Sequence, residues 1–328
     1  MNLMNRLFST AATMVALGIA TCVSPAAAAQ DYPSKPIRWI VPHAPGGGAD
    51  STARYLASKM GTFLDGQSFV VENRPGAAGM IGLNTTAKAA PDGYTIAIAI
   101  DTLVGNQFLA ESVPYKVSDF APVSVLVASP LVMLVRADSP IKSLDEAIDW
   151  MKANDGKLTY GSWGQGSTPH LAVEGLSERI GVNMIHVPYQ GAANSVVALL
   201  GGHLDFLVTS ANVALQHVRD GKLRALAVTT QESIPQLPDV PPLAKNFPGF
   251  ESVAWIGVVA PKDTPEPVIA KLSDAFAAQL KDPEVIQSFI DRGEIIVSKS
   301  SEEFEKMLVT ETARIKDIVE KRGLSINK

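Results

Sequence analysis

The sequence predicts an α/β protein of two domains joined by two crossover strands, and three observations lead there. Short β-rich runs alternate with stretches of helical spacing along most of the chain, the rhythm of βαβ units built on a largely parallel sheet. The chain has 328 residues, about twice the usual size of a domain. Two extended apolar runs, residues 123–135 and 252–260, outlast a routine strand and stand at the two borders of the second α/β unit. Such runs suit a chain that leaves its first domain, builds the second and returns.

The elements follow in order. Asn2, Asn5 and Arg6 precede a mostly apolar run at 11–23, and Ala27, Ala28 and Ala29 come after it. A charged start, a short apolar middle and small residues make a secretory signal peptide, with cleavage expected after Ala29. The run is shorter than the ~20 apolar residues of a membrane span. Cys22 lies inside it, but Thr21 stands where a lipoprotein signal prefers Gly or Ala, so the triple alanine is the better cut site. The mature chain then has no cysteine and no disulfide, and its stability rests on core burial. Residues 37–41, 68–72 and 95–100 read as strands, and 51–64 as a helix with Ala53, Leu56, Met60 and Leu64 at helical spacing. The pattern resumes with a helix at 144–153, a strand at 158–160, a helix after Pro169, a strand at 184–187, a helix after Gly191, and strands at 204–208 and 225–229. The expected layout is a signal peptide at 1–29, a discontinuous first domain at 30–128 and 253–328, and a second domain at 129–252.

The composition, 46% hydrophobic and 19% charged, excludes a disordered chain. The formal net charge of -5 argues against nucleic acid, which needs a basic face, and it offers no long-range attraction to an anion. An anionic ligand would have to be captured by local groups.

Two glycine-rich loops supply such groups. His43, Ala44, Pro45, Gly46, Gly47, Gly48, Ala49 and Asp50 sit where a strand turns into a helix. Glycines there let backbone N–H groups approach a ligand, and the helix N-terminus that follows carries unpaired donors and partial positive charge. The second loop runs from Gly161 to His170, again between strand and helix, with hydroxyls at Ser162, Ser167 and Thr168. Taken singly, either loop is a tight βα turn with Asp50 or Ser167 capping a helix. Their matching places in two successive α/β units favour one shared cleft at the carboxyl ends of the strands.

Other chemistries fit less well. Gly46 and Gly48 satisfy two glycines of G-x-G-x-x-G, but Ser51 occupies the third place, and no P-loop occurs. A secreted esterase is the alternative, because His43 shortly before three glycines is like an oxyanion-hole loop; the nucleophile elbow it requires, G-x-S-x-G, is missing. His43, His170, His186, His203 and His217 form no H-E-x-x-H pattern, so neither a metal nor any cofactor is expected.

Further motifs carry a resemblance: Ile40, Val41 and Pro42 leading into 45–50; Val71 to Gly79, which includes Asn73, Arg74, Pro75 and Gly76; Pro91 to Tyr94; Val187 to Gly191; and Gly221 to Ala227. Over essentially the whole mature chain, and in the same order, these resemble the Bug family, the extracytoplasmic receptors of tripartite tricarboxylate transporters. The resemblance implies a two-domain periplasmic binding protein fold, type II-like, with two crossover strands and a carboxyl-terminal return to the first domain. It implies a periplasmic solute-binding protein, not an enzyme, that acts as a monomer, holds a small carboxylate between its domains and delivers it to the membrane subunits of such a transporter. By motif position Pro45, Gly46, Gly47 and Asp50 belong to the first binding loop, and Ser162, Gly166, Ser167 and His170 to the second. Arg74 is expected in a local ion pair, Asp205 in a structural role, and Thr209 and Ser210 at the edge of the cleft. His43 and Trp163 depart from the residues common in relatives, apolar and small respectively. A Trp163 in the cleft would favour an apolar or aromatic body on the ligand, so aromatic acids join aliphatic di- and tricarboxylates and acidic amino acids as candidates.

Overall fold

The computed structural model describes residues 32–324, so the expected signal peptide and its cleavage site lie outside the described residues. The first part of the chain alternates β1 (Ile37–Val41), α1 (Gly48–Lys59), β2 (Phe69–Asn73), α2 (Met80–Ala87), β3 (Thr95–Ala99) and α3 (Thr102–Leu109). β4 (Phe120–Arg136) follows. Then come α4 (Leu144–Ala153), β5 (Thr159–Ser162), α5 (Thr168–Ile180), β6 (Ile185–Pro188), α6 (Ala192–Leu200), β7 (Phe206–Ser210), α7 (Ala211–Arg219) and β8 (Leu223–Val228). β9 (Val253–Pro261), α8 (Glu266–Gln279), α9 (Pro283–Asp291), β10 (Ile295–Lys299) and α10 (Ser301–Arg322) complete the described chain.

The strands hydrogen-bond in the order β2-β1-β3-β9-β4-β7-β5-β6, with β8 and β10 also paired to β4. β1 is parallel to β2 and β3, and β5 is parallel to β6 and β7, as βαβ connections require. β4 is the seam. From Phe120 to Pro130 it runs antiparallel to β9, and from Leu131 to Arg136 it pairs with β7 and β8. The change of partner falls at Pro130, a residue with no N–H to give to a ladder. β9 enters the first sheet opposite that point, with Val253 registered on Pro130. The two ends of the 229–252 segment are stitched together: Ser252 N–H donates to Thr229 O at 3.0 Å, and Leu131 N–H donates to Thr229 Oγ1 at 3.1 Å. Two lobes result, each with its own sheet, and β4 belongs to both. By their contacts the described residues from Pro33 onward nonetheless form one compact unit.

The strand expected at 37–41 and the helix at 144–153 coincide with β1 and α4. The helix expected at 51–64 starts earlier, at Gly48, and gives way after Lys59 to a 3-10 turn (Met60–Thr62), since Asp65 and Gly66 reverse the chain with φ of 49° and 79°. The strand expected at 204–208 is shifted to Phe206–Ser210. Asp205 lies just before it and accepts from Thr159 N–H at 2.7 Å and Thr159 Oγ1 at 2.8 Å, which fixes β7 against β5. Arg74 pairs locally with Glu72 at 2.5 Å.

In the first lobe Trp39, Phe69 and Phe276 meet with ring centroids 5.3 to 5.7 Å apart. The second lobe closes over Leu134, Val196, Leu199 and Leu207. Each fully buried side chain of this size contributes ~1.5–3 kcal/mol, against ~0–1 kcal/mol for a surface ion pair. The aromatic and aliphatic cores, more than the ion pairs along α10, hold the fold. α10 is nucleated by a capping box of Ser300 and Glu303 and stopped by Gly323 in the left-handed conformation. It packs on β4, α3, α8 and, across the lobes, α5. There Arg322 Nε donates to Glu174 Oε2 at 3.1 Å.

Candidate functional site

A cavity of about 550 Å³, its mouth included, opens between the lobes. The first lobe contributes His43, Ala44, Gly47, Gly48 and Ala49 from the β1–α1 turn, Ile100, and Ala254, Trp255 and Ile256 from β9. The second lobe contributes Trp163, the Gln190 to Ala193 stretch, Ser210 and Asn212, while Ser129 of β4 lies between. Three helices begin at this wall: α1 behind its N-cap Gly47, α6 behind Gly191 and α7 behind Ser210. In none does a side chain cap the terminus. Their first N–H groups therefore remain free to serve as donors, and partial positive charge from both lobes converges on one space. Gly191 has a φ of 117°, a conformation that favours glycine. Gly48 is required for a different reason: a Cβ there would lie 2.6 Å from Nδ2 of Asn212, so the first lobe meets the second at this point.

Among the described residues no Lys, Arg, Asp or Glu lines the cavity. His43 is held well below its ordinary value, at about 4, by burial, so its ring is neutral at pH 7. Its Nε2 and the Nε1 of Trp255 are buried without a partner among the described residues. With two indoles, Ile100 and Ile256 beside these polar atoms, the wall suits a ligand with an apolar body whose charge is met by helix termini.

The residues expected to bind divide into two groups. Gly47, Trp163 and Ser210 line the cavity. Pro45 and Gly46 are exposed and lie off it. Asp50 turns back on its own loop, accepting from Gly46 N–H at 2.9 Å, Asn73 Nδ2 at 2.8 Å and Arg54 Nε at 3.0 Å; it shapes the turn. The second loop is closed on itself. Ser162 Oγ donates to Gly164 O at 2.9 Å and lies 2.7 Å from His186 Nε2, and Ser167 Oγ donates to Gly164 O at 2.5 Å. His170 Nδ1 accepts from Gly166 N–H at 3.0 Å, and its ring stacks on His186 at 4.0 Å. Gly166 packs against Gly105: a Cβ there would lie 2.9 Å from Gly105's carbonyl carbon. Thr209 is buried beside Ser210, and its Oγ1 has no partner among the described residues.

The N-terminus of α5, read from sequence as an anion site, is filled by the chain's own carboxylate. Asp101, the N-cap of α3, accepts from Thr168 N–H and, at 3.4 Å, from Trp163 Nε1. Burial pushes the Asp101 carboxyl up to about 6, against the pull of these donors. The donor surface expected of that loop is supplied instead by Gly191, Ala192 and Ala193 and by Ser210 and Asn212. Gly191 was marked in the sequence as a helix start behind a strand, the same signal that singled out Gly47, but it lacked the neighbouring hydroxyls that drew attention to 161–170. Gln190 lay within the Val187 to Gly191 motif but was not singled out for binding, and Ser129, Asn212 and Trp255 carried no local signal. Among the described residues no group of three or more His, Cys, Asp or Glu could hold a metal ion.

Known proteins share this architecture. The structure of periplasmic binding protein BugD superposes with a TM-score of 0.84 at 32% identity, covering 89% of this chain and 99% of that one. An R. palustris protein solved with adipate gives 0.86 at 29%, covering 89% and 99%. MatC from Rhodopseudomonas palustris with bound malate gives 0.82 at 29%, covering 88% and 100%. The fold is thus the two-domain solute-binding fold of these periplasmic proteins. Residues 52–324 match the family described as tripartite tricarboxylate transporter family receptor, and the chain belongs to that family.

Proposed function

We propose that this protein is a periplasmic receptor that captures a small carboxylate between its lobes and passes it, chemically unchanged, to the membrane subunits of a tripartite transporter. One observation carries the proposal: three helix N-termini without side-chain caps, drawn from both lobes, face a cavity that, among the described residues, no charged side chain lines. Such termini hold an anion by backbone donors and dipole without needing a basic residue. Structural relatives hold adipate and malate, which supports a carboxylate. In this proposal the lobes divide at 130/131, two residues beyond the 128/129 border expected from sequence, and at 252/253; the protein works as a monomer, and Gly47, Trp163 and Ser210 touch the ligand together with Gly191 and Asn212.

An anion touching one terminus stays half solvated, whereas one shared by both lobes is desolvated and bound more tightly in the closed form. Calorimetry with malate, adipate and benzoate, paired with small-angle scattering, tests this. The expected result is one carboxylate per chain, a smaller radius of gyration on binding, and recovery of the ligand intact. Absence of binding by every carboxylate, or turnover of one, would overturn the proposal.

A further inference from the structure

Behind the cavity wall, on the turn between α9 and β10, lies Glu294, only 3% exposed. Its Oε1 accepts from Asn212 Nδ2 at 2.8 Å, from Ser129 Oγ at 3.1 Å and from Thr52 Oγ1 at 3.4 Å. Those donors come from α7 of the second lobe, from the shared strand β4 and from α1 of the first lobe. Two of the three, Asn212 and Ser129, are themselves cavity wall. The Asn212 amide is held at both ends, since its Oδ1 accepts from Ser210 Oγ at 2.7 Å, and it lies against Gly48 at the start of α1. Glu294 Oε2, by contrast, is buried without a partner among the described residues. On its other side is a largely apolar groove lined by Pro130, Ile234, Gln236, Leu280, Ile286 and Ile290, in which the Gln236 amide donates to Ile290 O.

We propose that Glu294 is a positioning residue for the ligand: its carboxyl group sets the Asn212 amide and the Ser129 hydroxyl at the cavity wall, and capture of an anion there brings a proton onto this carboxyl. The proposal rests on the anion-capture function above. A carboxylate with one oxygen satisfied three times and the other not at all is costly to keep charged in a dry site. Burial pushes Glu294 up to about 7; Ser129, the charge of Arg292, Asn212 and Thr52 pull the other way. The elements packed against it add no second carboxyl partner. α1 presents Thr52, with Asp50 engaged by Arg54 and Asn73; β4 presents Ser129; α7 presents Asn212. Arg292, the cation on its own turn, lies over the Tyr55 ring at 4.3 Å. His43, on the same cavity, is neutral above about pH 4. A ligand carboxylate beside Asn212 adds negative charge one side chain away and raises Glu294 further. Binding then takes up a proton near and above pH 7, and affinity falls as pH rises.

The experiment is calorimetry of malate, adipate and benzoate between pH 6 and pH 8.5, in two buffers of different ionisation heat, on the wild type and Glu294→Gln. If the bound state raises the group by one further unit, the wild type should weaken roughly sevenfold over that range and take up a fraction of a proton. Glu294→Gln, which keeps an acceptor for Asn212, should bind with a Kd that is flat in pH and with no proton uptake. A flat wild-type profile, or a Gln variant that keeps the wild-type slope, overturns the proposal. Melting of the ligand-free protein gives a second arm that needs no ligand. The folded value of Glu294 lies above its ordinary 4.5, so its stabilising contribution is full below that value and is lost as pH rises through about 7. The wild type should therefore lose melting temperature relative to Glu294→Gln between pH 5 and pH 8. Equal curves overturn the proton assignment, whereas failure of all three anions to bind strikes the carboxylate function instead.

Discussion

At Gly48 the distance between the lobes is set by the absence of one carbon atom. An alanine there would put its Cβ 2.6 Å from Asn212 Nδ2, so the amide would have to leave both Glu294 and Ser210. Gly48 is the first residue of α1, outside the helix interior where alanine gains ~1 kcal/mol over glycine, so the chief effect of the substitution is to push the lobes apart. Gly48→Ala is expected to lower the melting temperature and to weaken carboxylate binding by about tenfold, one 1.4 kcal/mol step. Calorimetry beside a thermal melt separates the two effects; unchanged binding would show that the amide swings aside freely.

Among the elements, α5 shows best why part of the site stayed hidden. Its strand–glycine–helix setting is the same as that of α1, and local pattern could find both. Occupancy of its N-terminus is decided by Asp101, 67 residues away from Thr168, and no local pattern reports a partner at that separation. The strands were legible because alternation and apolar runs are local properties; Asn212 and Trp255 were not, because only sheet closure brings α7 and β9 to one wall. Asp101 also makes a prediction for α5. Burial raises it from 3.8 to about 6, so its contribution is full below pH 4 and is lost as pH rises through 6. Wild-type melting temperature should fall across that window. Asp101→Asn, which keeps a side chain that caps a helix as well as aspartate does, should flatten the fall, and a slope equal to the wild type's would show that Asp101 does not titrate there.

On the scale of the whole molecule, the lobes are joined by contacts that each reach from one to the other: Thr168 on Asp101, Asn212 on Glu294 and Arg322 on Glu174. The apolar runs at 123–135 and 252–260 announced long strands from sequence, and β4 and β9 are those strands. That only β4 serves both sheets depends on register, which pairs Leu131 to Arg136 with β7 and β8 and leaves β9 wholly on the first sheet. The register has a further consequence. Pro130 and Val253 are direct partners across the β4–β9 ladder, so the second lobe is inserted between two residues that already face one another. To the first lobe, residues 131–252 are topologically a hairpin loop. Replacing them with a two-residue Asn-Gly turn, the connection such a ladder favours, should leave a smaller protein that folds cooperatively, keeps the Trp39, Phe69 and Phe276 cluster and binds no carboxylate. Near-ultraviolet circular dichroism and a single melting transition would identify it, and a molten product would mean that the first lobe borrows its order from the lobe it carries.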